Sequence, residues 1–226
     1  MLQNINQKFS GGCMMLMHKQ GEALSFLGTC FLVHGQGYLL SAAHLCHQLH
    51  ELMVVPIPQE QEFLPLTQDQ VHPLPVSLVS ANQENDVALL QLDPDLEILA
   101  PDHIVGNPEQ VQTGTSLASM GFSFGYYRLH NLHIMDAVLT SKIKSLNETN
   151  LLVFNTMIHH GDIGGPLINV VDGRIIGIIA GRFNPEVILH RASRSQREET
   201  YQTNISYAVS IEYGAQLMQE QGLEII

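Results

Sequence analysis

Tryptophan is absent, 6% of the 226 residues are aromatic, and there are three cysteines. Three thiols, Cys13, Cys30 and Cys46, are too few and odd in number for the disulfide framework of small secreted modules, although one bridge stays open. Long apolar runs are missing as well. The run at residues 13–17 has five members, too short for a signal-peptide core or a membrane span. This reading predicts a soluble, cytoplasmic protein without a membrane partner.

Positive charge is also scarce, and unevenly so. Ten basic residues face 22 acidic ones, for a net charge of −12. From Gln20 to Tyr127 there is no Lys or Arg at all, while twelve acidic residues lie there; residues 128–226 hold eight basic and ten acidic. Phosphate backbones are bound by clustered Lys and Arg that displace counterions. Nucleic acid is therefore excluded from the expected partners.

What is abundant is short apolar segments punctuated by Gly, Pro and Asn. They fall at residues 13–18, 25–33, 38–41, 52–56, 76–79 and 87–92, and again at 116–120, 132–139, 151–155, 166–169, 174–180 and 205–209. Dense short strands at this spacing predict an all-β barrel or sandwich. Residues 94–113, rich in Pro and Asp, read as a linker between two halves, 13–93 and 114–210. Residues 57–70, rich in Gln, Glu and Pro, read as an exposed loop. Helical patterning is confined to residues 42–50 and to 211–221 within a terminal segment 211–226.

Three segments carry chemistry. The first is GTCFLVHGQGYLLSAAHLC, ending in Ala42, Ala43, His44 and Cys46. The second, NDVALLQL, sets Asp86 at the head of a buried strand. The third, HGDIGGPL, spans His160 to Leu167. A histidine, then an aspartate, then a Gly-Asp-x-Gly-Gly-Pro loop resembles the chymotrypsin-like serine peptidases, and within them the bacterial trypsin-like and HtrA-like branch. SYAVSI, from Ser206 to Ile211, and GTSLASMGFSFG, from Gly114 to Gly125, match further family elements, so the likeness runs from about residue 13 to about residue 222. Each motif alone is bland: a histidine often faces solvent, an aspartate often ends a strand, and Gly-Gly-Pro is a turn. Their order is what carries the resemblance.

The resemblance implies two six-stranded antiparallel β-barrels with a C-terminal helix and a cleft between the barrels. It makes His44 the base and Asp86 the carboxylate that orients it. Ile163 occupies the nucleophile position. Isoleucine has no lone pair to attack a carbonyl and no proton for His44 to take. Gly161 and Ile163 would supply the oxyanion-hole N–H groups, and Asp162 would fix the loop. By the same likeness Met157 lies at the base of the primary side-chain pocket, an apolar floor unsuited to Arg or Lys. The strand Ile178, Ile179, Ala180, Gly181 and Arg182 would receive an extended peptide by β-augmentation. Arg182 either obstructs the pocket mouth or recognises a carboxylate.

The expectation is thus a peptidase homologue that binds a protein or peptide, with no cofactor and no metal. The first alternative is a serine endopeptidase lineage in which this chain is an inactivated form. The second is a thiol or metal hydrolase built on Cys46 with His44, His47 and His50. Arg174, Arg182, Arg191, Arg194 and Arg197 cluster near the peptide-docking strand, which predicts an acidic cleft wall with a basic rim.

Overall fold

The structure, a computed structural model, describes residues 1–57, 71–93, 98, 103–184 and 203–225. The loop expected at 57–70 lies outside these residues except for Ile57, as do most of the first third of the linker and Arg191, Arg194 and Arg197.

Among the described residues, twelve strands form two closed antiparallel barrels. The first holds β1 (Cys13–Gln20), β2 (Ala23–His34), β3 (Tyr38–Ser41), β4 (Leu52–Pro56), β5 (Leu74–Asn82) and β6 (Val87–Leu92) in the order β1-β2-β3-β6-β5-β4. The second holds β7 (Ser116–Gly121), β8 (His133–Lys144), β9 (Asn150–Phe154), β10 (Pro166–Asn169), β11 (Arg174–Arg182) and β12 (Ser206–Ser210) in the order β10-β11-β12-β9-β8-β7. Closure leaves few free edges.

Period-two alternation explains why many strands read as unbroken apolar runs. In β6, Ala88, Leu90 and Leu92 fill the first barrel while Val87 and Leu89 enter a second cluster that both barrels share. In β2, Cys30 and Leu32 point inward while Phe31 and Val33 join the shared cluster. Both faces are buried, so polar residues have no place in either phase. The shared cluster, with Met120, Ile168, Ile178 and Val209 from the second barrel, sits between the two barrel interiors.

Strands run longer than their sequence signal where bulges interrupt the alternation. The register shifts at Leu78/Ser80 in β5 and at Leu139/Ser141 in β8, and the polar residues beyond continue the ladder. The helix expected at 42–50 is instead α2 (Ala43–Cys46), because His47 turns to extended backbone and Gln48 has a φ of 57°. A first helix, α1 (Leu2–Phe9), escaped the sequence reading. It buries only Ile5 and Phe9, one turn apart. α1 packs toward the second barrel, with Lys8 Nζ donating to the Gly173 carbonyl at 3.0 Å. The terminal helix, α3 (Glu212–Glu220), packs the opposite way, onto β5 and β6 of the first barrel. The packing is tight: a Cβ on Gly214 would lie 2.6 Å from Leu40.

Candidate active site

The β3 strand ends at Ser41, buried with its hydroxyl donating to the Thr29 carbonyl at 2.7 Å, and Ala42 and Ala43, both fully buried, bring the chain into α2 with His44 outward. Asp86 holds this turn at three points. Its carbonyl accepts the Ala43 N–H at 3.2 Å, one carboxylate oxygen accepts the His44 N–H at 2.8 Å, and the other meets His44 Nδ1 at 2.7 Å. An ionised carboxylate only accepts, so Nδ1 is the donor, and in the neutral imidazole this leaves the lone pair on Nε2. That is the tautomer a general base requires. The side chains are 37% and 30% exposed, within reach of a ligand. Asp86 adopts a φ of 57°, a left-handed conformation costing roughly 1–2 kcal/mol in a non-glycine residue. Strain of this kind tends to gather at functional positions.

The loop opposite is a single 3-10 turn, His160–Asp162. Gly161 is obligatory there, since a Cβ would lie 2.0 Å from the Phe122 carbonyl. Gly164 has a φ of 87°, and its Cβ would meet the Thr29 carbonyl at 2.2 Å. Asp162 is fully buried; its carboxylate accepts the Ser123 hydroxyl at 2.7 Å and the His159 N–H at 2.8 Å. Burial pushes its pKa above the ordinary carboxylate range, against the downward pull of those two bonds. Ile163 is half-buried. Its N–H is not an open oxyanion donor, because it bonds the His160 carbonyl at 3.3 Å inside the turn.

Thr29, which the sequence reading passed over, joins this loop to the first barrel. Its N–H donates to the Ile163 carbonyl at 2.9 Å, and its hydroxyl donates to the Gly161 carbonyl at 2.7 Å while accepting the Phe122 N–H at 3.1 Å. The only sequence signal was its place beside Gly28 ahead of the apolar strand. Asn85 likewise accepts the Thr149 hydroxyl at 2.7 Å across the cleft.

The peptide-docking strand differs from expectation at its start. Ile178 and Ile179 are core residues: Ile178 pairs with Pro166 and Val209, while the Ile179 N–H and carbonyl are taken by Gly165 and Gly164, both at 2.8 Å. Among the described residues, the β10 pairing of β11 ends at Ile178, the Gly164–Gly165 loop takes over at Ile179, and no strand partner opposite β12 follows for Ala180, Gly181 and Arg182. Arg182 Nε donates to the Ile158 carbonyl at 2.8 Å, next to the half-buried Met157. Its side chain therefore spans the two segments that the resemblance makes walls of the primary pocket. A cavity of about 530 Å³ opens instead between His44, Asp86 and Asn85 on one side and Leu151, Ala180 and Tyr207 on the other.

The thiol alternative fails on geometry. Cys46 is buried, with its Sγ directed at the Ala42 carbonyl, and burial pushes its pKa up to about 12. A thiolate nucleophile does not form there. No three His, Cys, Asp or Glu side chains converge among the described residues, so His44, Cys46, His47 and His50 do not make a coordination set.

Two barrels with a His–Asp pair at their junction, facing a Gly-rich loop, define the chymotrypsin-like class. Residues 28–178 match the family model for the trypsin-like peptidase domain, and the chain belongs to that family. A DegP-like periplasmic serine endoprotease of Halomonas elongata is 27% identical over 159 residues, covering 67% of this chain and 28% of the relative. The magnetosome formation protease MamE of Magnetospirillum gryphiswaldense is 24% identical over 162 residues, covering 70% of this chain and 19% of the relative. The chain thus spans less than a third of the length of these relatives. The HtrA-type protease AlgW with tripeptide superposes with a TM-score of 0.71 at 20% identity, covering 99% of this chain and 65% of that one. These likenesses bear out the two-barrel expectation.

The cytoplasmic expectation is overturned, since the DegP-like relatives are named as periplasmic. It rested on the short apolar run at residues 13–17. That run is part of β1, an internal strand, and carries no information about targeting. Among the described residues no helix is long and apolar enough to cross a membrane.

Proposed function

We propose that this chain is a catalytically silent member of the peptidase family that binds a protein or peptide in the cleft between its barrels. The observation that carries the reading is Ile163 in the loop facing the His44–Asp86 pair. A branched hydrocarbon stands where the family's chemistry calls for a hydroxyl, so His44 has nothing to deprotonate. Two further features agree with it. The Ile163 N–H is occupied within its own turn, and Arg182 Nε is bonded to the Ile158 carbonyl beside Met157, where the resemblance places the primary pocket. Sites stripped of one triad member can retain on the order of a thousandfold rate over water through the oxyanion hole; here that contribution is weakened as well.

A compartment outside the cytoplasm, as in the DegP-like relatives, is part of this proposal. Cys13, Cys30 and Cys46 are free and buried, and a thiol without access or thiolate character resists oxidation even there.

The second reading, an endopeptidase lineage caught in an inactivated form, draws on the relatives being named as endoproteases and on the intact 2.7 Å His44–Asp86 contact. A fluorophosphonate probe and a casein substrate test the proposal, and serine at this loop position in close homologues would favour the second reading. The native protein is expected to take no label and leave casein intact, while Ile163→Ser gains labelling. Labelling or cleavage by the native protein overturns the proposal.

A further inference from the structure

We infer that the cavity beside His44 receives a lysine or arginine side chain of the docked peptide. The inference rests on the peptide-binding reading and names the chemistry that the cleft selects.

The side-chain pocket expected over Met157 is crossed by Arg182, whose Nε is bonded to the Ile158 carbonyl at 2.8 Å. A peptide side chain entering there would have to break that bond and approach a guanidinium. The other opening adjoins the strand edge directly, because Ala180, which among the described residues has no strand partner opposite β12, also lines the cavity. A peptide laid along Ala180 to Arg182 alternates its side chains, so one set faces this space. At about 530 Å³, the cavity lies within the roughly 300–1,000 Å³ range of small-molecule sites and accommodates a long side chain.

Its walls differ in chemistry. Leu151, Val209 and Ala180 offer an apolar surface from the second barrel, while Glu84 and Asp86 bring carboxylates from the first. Among the described residues no Lys or Arg lines it, and the nearby Lys144 is turned to Glu148 at 3.0 Å. An amphipathic cation fits both walls at once, with its methylene stem on the leucine and valine and its head at the carboxylates. An apolar side chain would desolvate those carboxylates without compensation, and an acidic one would be repelled. The surrounding field has the same sign, since residues 20–127 hold twelve acidic residues and no basic one.

The test uses three capped Ala/Ser octapeptides that carry lysine, norleucine or glutamate at one central position. Each is titrated into ¹⁵N-labelled protein at pH 8 and low salt. Amide shifts at Ala180 and Arg182 report docking on the strand, and shifts at Asn85, Leu151 and Tyr207 report entry into the cavity. The lysine peptide is expected to move both sets and to bind about tenfold more tightly than norleucine, with Glu84→Gln reducing that advantage about threefold, the scale of one partly exposed charge pair. Norleucine or glutamate binding within threefold of lysine, or strand shifts without cavity shifts, overturns the inference and leaves peptide binding standing. If no peptide moves Ala180 or Arg182, the peptide-binding reading falls, and this inference with it.

Discussion

Replacing Thr29 with valine removes one hydroxyl and keeps the shape of the side chain, so its effect isolates the junction between the candidate loop and the first barrel. Thr29 is fully buried, and its hydroxyl serves two backbone groups, the Gly161 carbonyl at 2.7 Å and the Phe122 N–H at 3.1 Å. Valine leaves both without a partner. An orphaned buried polar group costs about 1–3 kcal/mol, and the loop can relax around one of the two, so the expected loss is about 2–4 kcal/mol. For a chain of this size each kcal/mol lowers Tm by roughly 2–4 °C, giving a fall of roughly 4–16 °C. Thr29→Ser keeps the hydroxyl and sacrifices a methyl, at about 1 kcal/mol. Urea unfolding of the three proteins, read with amide exchange at Phe122, makes the comparison. Valine should be clearly less stable than serine and should expose the Phe122 amide to exchange. A valine variant as stable as the parent, or more stable than serine, refutes the view that Thr29 ties loop to barrel.

Three other outcomes follow from the site. In an Ile163→Ser background, Asp86→Asn should slow fluorophosphonate labelling by on the order of 10⁴, because the amide favours the wrong imidazole tautomer; equal labelling would remove Asp86 from the orienting role. Asp162 has a folded-state pKa above its unfolded value, so the folded state binds the extra proton. Stability from this group is therefore fully present below about pH 3.9, the ordinary aspartate value, and declines as pH rises through the raised folded value. Asp162→Asn should lack this decline, so its stability relative to the parent should rise with pH in urea titrations, and a pH-independent difference would contradict the assignment. Finally, iodoacetamide should modify none of the three cysteines in the native protein and all of them after unfolding, since burial pushes Cys13 and Cys46 up to about 12; labelling of native Cys46 would reopen the thiol chemistry.

The barrels were legible in the sequence because their strands are buried on both faces, so β6 reads as an uninterrupted apolar run between turn residues. The longer reach of β5 and β8 was not, since it passes through bulges that shift the alternation and ends in polar residues. α1 was missed for a related reason: Ile5 and Phe9 are its only buried anchors among polar neighbours, and two anchors make a faint period. In the site, His44 and Asp86 stood out through their motifs, and the structure brings them together. Motifs name side chains, however, and much of this site is made of backbone. That Ile178 and Ile179 have their main-chain groups paired, that the Ile163 N–H closes a turn, and that Arg182 reaches the Ile158 carbonyl all depend on long-range register. Thr29 was inconspicuous because a threonine in a strand is ordinary, and only its partners 93 and 132 residues away give it a role.

The reciprocal packing of α1 and α3 has a consequence for how the chain matures. The helix ahead of the first barrel rests on the second, and the helix behind the second barrel covers Leu40 of the first. During synthesis the amino-terminal barrel therefore emerges with an uncovered apolar flank, which is sealed only when residues beyond Glu212 leave the ribosome. Neither half reaches its final stability alone, so unfolding should be a single cooperative event. A nascent chain stalled before α3 would be a natural client for a chaperone.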